Sequence, residues 1–149
     1  MKLIMKKNKN KKMTHFIESC ITGDLEKIKE ETRQWIEPLN RKNIMDIITD
    51  PEYFFNFQVS YDTIFYKGMI EACQHGHLHI IEWIHNVYWI IHDLIIDWCI
   101  DQKKSGNKMK DSEIIEILPK SFLFRELLDI ALKYQHQKIA NTIFHYEII

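Results

Sequence analysis

Glycine and proline are scarce in this chain. Its 149 residues include four glycines and three prolines. Sandwiches and barrels of many short strands usually need more of both residues for their turns, so the composition argues against those folds. The glycines, at positions 23, 68, 76 and 106, are also too far apart to form a glycine-rich phosphate-binding loop.

Cysteine is scarce as well. Cys20, Cys73 and Cys99 are widely and irregularly spaced, and an odd number at such spacing fits neither a disulfide framework nor a CxxC metal site. We expect buried free thiols in a reducing compartment. No apolar stretch of signal-peptide length follows the basic N-terminal residues. These features predict an intracellular, cytoplasmic protein.

The chain has no long uninterrupted apolar run. Its most apolar region, residues 80–100, contains Glu82, Asp93 and Asp97, and its longest unbroken apolar run is residues 87–91. A membrane span needs about 20 predominantly apolar residues. We therefore expect a largely buried helix here and no membrane association.

Basic and acidic residues are unevenly distributed along the chain. Residues 1–13 contain six lysines and no acid, whereas the rest of the chain has 14 basic and 21 acidic residues. We expect a disordered basic arm over residues 1–13 and one folded domain over residues 14–149. An acidic domain is unsuited to phosphate contacts. The alternative function is therefore binding of nucleic acid or another polyanion, or nuclear import, through the basic arm.

Apolar residues recur at helical spacing along residues 14–149, and no segment has a convincing strand pattern, which predicts an all-α fold. Turn signals between the helices are about 26 to 30 residues apart, a spacing typical of repeat proteins. They are Gly23, Asp50-Pro51, Gly76, residues 105–107 and Gln135. This spacing predicts up to five stacked helix–turn–helix units, two of which, over residues 42–58 and 92–118, rest on spacing alone.

One segment carries a more specific pattern. In GMIEACQHGHLHIIEWIHN, residues 68–86, the small pair Ala72-Cys73 precedes a turn at Gly76-His77, and an apolar helix containing Ile80 follows. This segment resembles an ankyrin repeat. Alignment on the turn reveals two further copies, which turn at Gly23 and near Gln135.

The resemblance implies a short ankyrin-like helical solenoid that acts as a non-catalytic protein–protein interaction module. It also implies that the partner, a protein of unknown identity, binds the concave face, where the first helix of each unit is exposed. The implied partner-binding residues are Glu18, Ile21, Thr22, Glu71, Gln74, His75, Lys133 and Tyr134.

No constellation of residues points to catalysis. The chain has no G-x-S-x-G motif and no reactive-cysteine setting, so we expect no enzymatic activity and no cofactor. The alternating His75, His77 and His79 resemble metal ligands, but the turn at Gly76 should make their side chains diverge, and we expect no metal site. The four tryptophans are expected in the core, and any exposed one would be a binding anchor.

Overall fold

The computed structural model describes residues 15–49, 64–107, 109–118 and 121–148. Every regular element in these ranges is an α-helix, so the described part of the chain is all-α, as its apolar periodicity predicts. The helices are α1 (residues 15–22), α2 (Leu25–Ile36), α3 (Ile44–Thr49), α4 (Ile64–His75), α5 (Leu78–Lys104), α6 (Asp111–Ile117), α7 (Phe124–Lys133) and α8 (Gln137–Ile148). The predicted basic arm lies outside the described residues.

Four of the described helix connections share one turn geometry. The turn residue has a positive φ in each, 81° at Gly23, 81° at Gly76, 88° at Gly106 and 63° at Gln135. The next N–H then closes the end of the first helix by bonding to the carbonyl five residues earlier, as in a Schellman motif. These bonds join Asp24 to Ser19 (3.0 Å), His77 to Ala72 (2.9 Å), Asn107 to Gln102 (3.0 Å) and His136 to Ala131 (2.8 Å). We call α1–α2 unit 1, α4–α5 unit 2 and α7–α8 unit 3.

Consecutive units contact one another through equivalent atoms. Nε2 of His77, directly after the turn of unit 2, lies 2.8 Å from the carbonyl oxygen of Ile21 in unit 1. Nε2 of His136, at the same place in unit 3, lies 3.1 Å from the carbonyl oxygen of Gln74 in unit 2. Because a carbonyl only accepts, each Nε2 carries the hydrogen. Units 1, 2 and 3 are therefore immediate neighbours in space.

The structure changes the expectation of five evenly spaced units at residues 92–118. Residues 92–104 do not begin a unit of their own, because they continue the single 27-residue helix α5. That helix ends before Gly106, whose φ of 88° marks the turn toward α6. Residues 50–58 of the other spacing-based unit lie outside the described residues, and α3 packs against α5. Insertions separate the three units along the sequence, and direct contacts join them in space.

The core lies where the units meet. Phe16 of α1 packs edge-to-face on Phe65 of α4, with ring centroids 5.4 Å apart. A side chain at Gly68 would place its Cβ 2.7 Å from the Phe16 ring and 2.9 Å from the sulfur of Cys20. The missing side chain therefore lets α1 and α4 approach closely. Cys20 and Cys73 hold equivalent positions three residues before their turns, and both are fully buried, as the alignment predicts.

We expect the three thiols to be unreactive in the folded protein. Burial raises the pKa of Cys20 and of Cys73 to about 12, and Cys99 is buried as well. Only a thiolate reacts rapidly with labelling reagents. A colorimetric thiol assay should find almost no reactive thiol at neutral pH and three per chain in denaturant. Rapid labelling of Cys20 in the native chain would contradict the packing between units 1 and 2.

Candidate interaction surface

The predicted partner-binding residues occupy equivalent positions in the three units. Two of them come from the last residues before each turn, and one more lies a helical turn earlier in units 1 and 2. Together they form what we call the candidate surface: Glu18, Ile21, Thr22, Glu71, Gln74, His75, Lys133 and Tyr134. Glu18, Thr22, His75, Lys133 and Tyr134 are exposed, and the other three are partly exposed.

The structure joins units 2 and 3 within this surface. The Gln74 side-chain amide donates to the Tyr134 hydroxyl at 3.0 Å. The ammonium group of Lys133 lies 5.6 Å from the Tyr134 ring centroid. Within unit 2, Nε2 of His75 lies 3.5 Å from the Glu71 carboxylate. Gln74, Lys133 and Tyr134 therefore form one connected group, and Glu71 and His75 form a separate pair in unit 2.

In unit 1 the candidate residues have more local contacts. The Glu18 carboxylate lies 3.7 Å from the His15 ring, and both side chains are exposed. The Thr22 hydroxyl donates to the Ser19 carbonyl at 3.4 Å. The carbonyl of Ile21 is occupied by His77. The structure thus connects the unit 2 and unit 3 residues directly and places those of unit 1 beside them.

The alternating histidines have separate partners. His75 faces Glu71, His77 bonds to the carbonyl of Ile21, and His79 Nε2 lies 2.9 Å from the carbonyl oxygen of Gly23. Two of these contacts tie unit 2 to unit 1. Among the described residues, no group of three or more His, Cys, Asp or Glu side chains could hold a metal ion.

A second cluster of aromatic rings lies where α5 meets unit 3. His85 stacks on Tyr146 with ring centroids 3.6 Å apart and an angle of 9° between the planes. The indole N–H of Trp89 donates to Nε2 of His85 at 3.1 Å. Trp89 is 41% exposed, so the expectation of a core residue is wrong for it. His85 and Trp89 are four residues apart, which places their side chains on the same face of a helix, so this contact was predictable from the sequence.

Burial lowers the pKa of His85 from 6.5 to about 4. The neutral ring accepts the Trp89 hydrogen on Nε2, so its own proton lies on Nδ1. Unfolded His85 titrates near 6.5, so between about pH 6.5 and 4 only the unfolded state takes up this proton. The contribution of His85 to stability therefore declines as the pH falls through that window.

A His85→Phe variant keeps an aromatic ring at this position and removes the titration. Between about pH 7.5 and 4.5, the wild type should lose about 1–2 kcal/mol more unfolding free energy than the variant, after allowance for solvent screening of the partly exposed ring. Urea unfolding at each pH measures this difference. Equal losses in the two proteins would show that His85 is accessible to protons.

A shallow depression of about 260 Å³ lies between α2 and α5. Six residues line it: Lys29, Thr32, Arg33, Ile36, Glu37 and Trp83. Thr32 offers no nucleophile here, because its hydroxyl donates to the Ile28 carbonyl at 2.7 Å. This depression holds charged and apolar groups without a nucleophile–base pair.

No family model, curated protein or solved structure matches the chain. Within the described ranges, no helix has the length and apolar content needed to cross a membrane.

Proposed function

We propose that this chain is an ankyrin-type repeat protein that captures a protein partner on the candidate surface without catalysing a reaction. The observation that supports this function is the repetition of one geometry in three neighbouring units. The same turn, followed by the same histidine-to-carbonyl bond, relates unit 1 to unit 2 and unit 2 to unit 3. Equivalent side chains of successive first helices then line one extended surface.

The chemistry of the surface favours a protein partner. It mixes acids, a lysine, an amide and an exposed tyrosine, and tyrosine is enriched at interface positions that dominate binding energy. Tyr134 is 41% exposed, and its hydroxyl is already oriented by Gln74. A ring held in place loses little conformational freedom when a partner covers it. We place the centre of the interface at Tyr134.

The expected localisation follows from the same proposal. Three buried free thiols suit a reducing compartment, so we propose that capture takes place inside the cell. In the alternative role, the lysine-rich segment before residue 14 directs the chain to the nucleus or binds a polyanion.

The test compares bait variants. The wild-type chain and Tyr134→Ala and Gln74→Ala variants are used to capture proteins from cell extract, and one recovered partner is titrated by calorimetry. Tyr134→Ala should weaken binding by about 1–3 kcal/mol, and Gln74→Ala by less. Ile115→Ala, on α6 and 70% exposed, is the matched control and should bind as the wild type does.

Deletion of residues 1–12 separates the two functions. If the candidate surface is the binding site, the shortened chain should keep its protein partner at unchanged affinity. If the arm is the effector, the deletion should abolish binding to heparin or nucleic acid, and Tyr134→Ala should have no effect on binding. That second pattern would overturn the proposed function.

A further inference from the structure

The second helices of neighbouring units form two grooves that differ in what fills them. We call the groove between α2 and α5 groove 1 and the groove between α5 and α8 groove 2. In groove 2, His85 of α5 stacks on Tyr146 of α8 and accepts a hydrogen bond from Trp89. Three rings of the protein itself therefore fill groove 2. Groove 1 instead contains the open depression of about 260 Å³.

Smaller side chains leave this space open. Counted from the turn of each unit, Thr32 of α2 corresponds to His85 of α5, and Ile36 corresponds to Trp89. Thr32 is 2% exposed and its hydroxyl bonds to the Ile28 carbonyl of its own helix, so its side chain does not reach across the groove. The same helix positions thus carry two rings in groove 2 and two short side chains in groove 1. The space that is missing from groove 1 has the size of aromatic side chains.

The depression provides an apolar seat for a ring. Its wall on the α5 side is Trp83, which is partly exposed, and Ile36 contributes apolar surface from α2. Aromatic rings pair favourably with one another in stacked or edge-to-face arrangements, and covering a partly exposed indole removes apolar surface from water. A ring placed on Trp83 would therefore give groove 1 the kind of packing that groove 2 already has.

Two cations border this seat. Lys29 and Arg33 both line the depression and lie four residues apart on α2, so they project from the same helix face. Lys29 is 3.9 Å from the exposed Glu26 carboxylate, and within the described ranges Arg33 forms no ion pair. One acid, Glu37, also lines the depression, so its border carries a net charge of about +1.

The cations are a property of groove 1 alone. The corresponding positions of α5 are Glu82 and Asn86, so groove 2 has no cation at these places. A guanidinium group binds a carboxylate through two parallel hydrogen bonds, and an ammonium group adds a further charge-assisted bond. An occupant of groove 1 that carries a carboxylate beside its ring would therefore complement both the apolar seat and its charged border.

The size of the depression favours one side chain of a larger molecule. Pockets that enclose a whole small-molecule ligand usually have volumes of about 300–1,000 Å³ and bury most of the ligand. The depression of about 260 Å³ is smaller and shallow. It accommodates one aromatic side chain, while the chain that carries this side chain stays outside and places neighbouring acids on the border.

We propose that groove 1 binds a segment of a partner protein in which an aromatic residue lies next to acidic residues. The ring packs on Trp83 and Ile36, and the carboxylates contact Lys29 and Arg33. This site shares no residue with the candidate surface, which is formed by the first helices of the units. It is a second binding site beyond the proposed function.

The probe is a blocked synthetic peptide with one tyrosine between two glutamates, titrated into the isotope-labelled full chain. In nuclear magnetic resonance spectra the indole N–H signal of Trp83, assigned with a Trp83→Phe variant, should shift. The signal of Trp89 should stay in place, although Trp89 is 41% exposed in groove 2. Peptides with alanine in place of the tyrosine, or with glutamines in place of the glutamates, should bind at least about fivefold more weakly.

Two variants test the charge and the space separately. Arg33→Glu reverses a border charge at an exposed position and should weaken peptide binding by about tenfold, whereas Lys138→Glu, the same change at an exposed position of α8, should have no effect. Ile36→Trp places an indole where groove 2 has Trp89, so it should block binding although both cations remain. Circular dichroism checks that each variant keeps its helices.

Three results would overturn the proposal: a Trp83 signal that no peptide shifts even at millimolar concentration, equal binding of the three peptides, or an Arg33→Glu variant that binds as the wild type does. Tyr134→Ala should leave peptide binding unchanged, because Tyr134 belongs to the candidate surface. Failure at groove 1 and failure of partner capture are therefore separate outcomes.

Discussion

A Gly76→Ala substitution should destabilise the protein by about 2–4 kcal/mol. Two effects add at this position. An L-residue at a φ of 81° is strained by about 1 kcal/mol, and the new Cβ would lie 2.8 Å from the His136 ring. The ring must move, which weakens its bond to the Gln74 carbonyl. Urea unfolding followed by circular dichroism gives the change in free energy.

Two controls separate the effect of backbone strain at Gly76 from the effect of the contact with the His136 ring. Gly106→Ala also requires a positive φ, but no atom lies within 4 Å of its Cβ, so it should cost only about 1 kcal/mol. In a His136→Ala background the contact is gone, and Gly76→Ala should then cost about as much as Gly106→Ala. Equal effects of Gly76→Ala and Gly106→Ala in the wild-type background would contradict the inter-unit contact.

A chain shortened to end at Lys120 should keep most of its helical circular dichroism per residue and become prone to aggregation. It loses unit 3, but the contacts between units 1 and 2, including the His77 bond and the Phe16–Phe65 pair, remain. Removing residues 121–149 uncovers Tyr66, which stacks on Phe122. It should also uncover the buried Met69, the unit 2 equivalent of Phe16. Light scattering should therefore rise with concentration.

Adding Met69→Lys to the shortened chain should reduce that scattering, because it places a charge on the newly uncovered face. The same substitution in the full chain should be strongly destabilising, because Met69 is fully buried there. Complete loss of helicity in the shortened chain would favour one closed core shared by all helices over a series of neighbouring units.

The sequence predicted the all-helical fold and the three turns for physical reasons that are local. A helix–turn–helix unit needs apolar residues at helical spacing and a residue that tolerates a positive φ, and both are visible around Gly23 and Gly76. Gln135 lacks the glycine, yet its neighbours Ala131 and His136 repeat the pattern of Ala72 and His77. All three sites have a positive φ and the same closing bond.

The spatial order of the units could not be predicted from spacing. The even intervals between turn signals indicated five units, but which segments pack together depends on contacts between residues far apart in the chain, such as Ile21 and His77. Residues 92–104 carry helical periodicity whether they begin a new helix or extend α5. The exposure of Trp89 likewise depends on how α5 meets unit 3 and not on its own residue type.

The distance between units 1 and 3 tests this arrangement most directly. Thr22 and Tyr134 are exposed and hold equivalent positions next to their turns. Cysteines introduced at both sites can be spin-labelled selectively, because the three native thiols are buried. Double electron–electron resonance then reports the separation of the two labels in solution.

Neighbouring packed helices lie about 8–10 Å apart, so two inter-unit steps predict a separation of about 20 Å between positions 22 and 134. An array with a further unit between each pair would require about 40 Å. The label linkers broaden the distribution by less than this twofold difference. A distribution centred near 20 Å is the result we predict, and one centred near 40 Å would contradict the direct contact of units 1, 2 and 3.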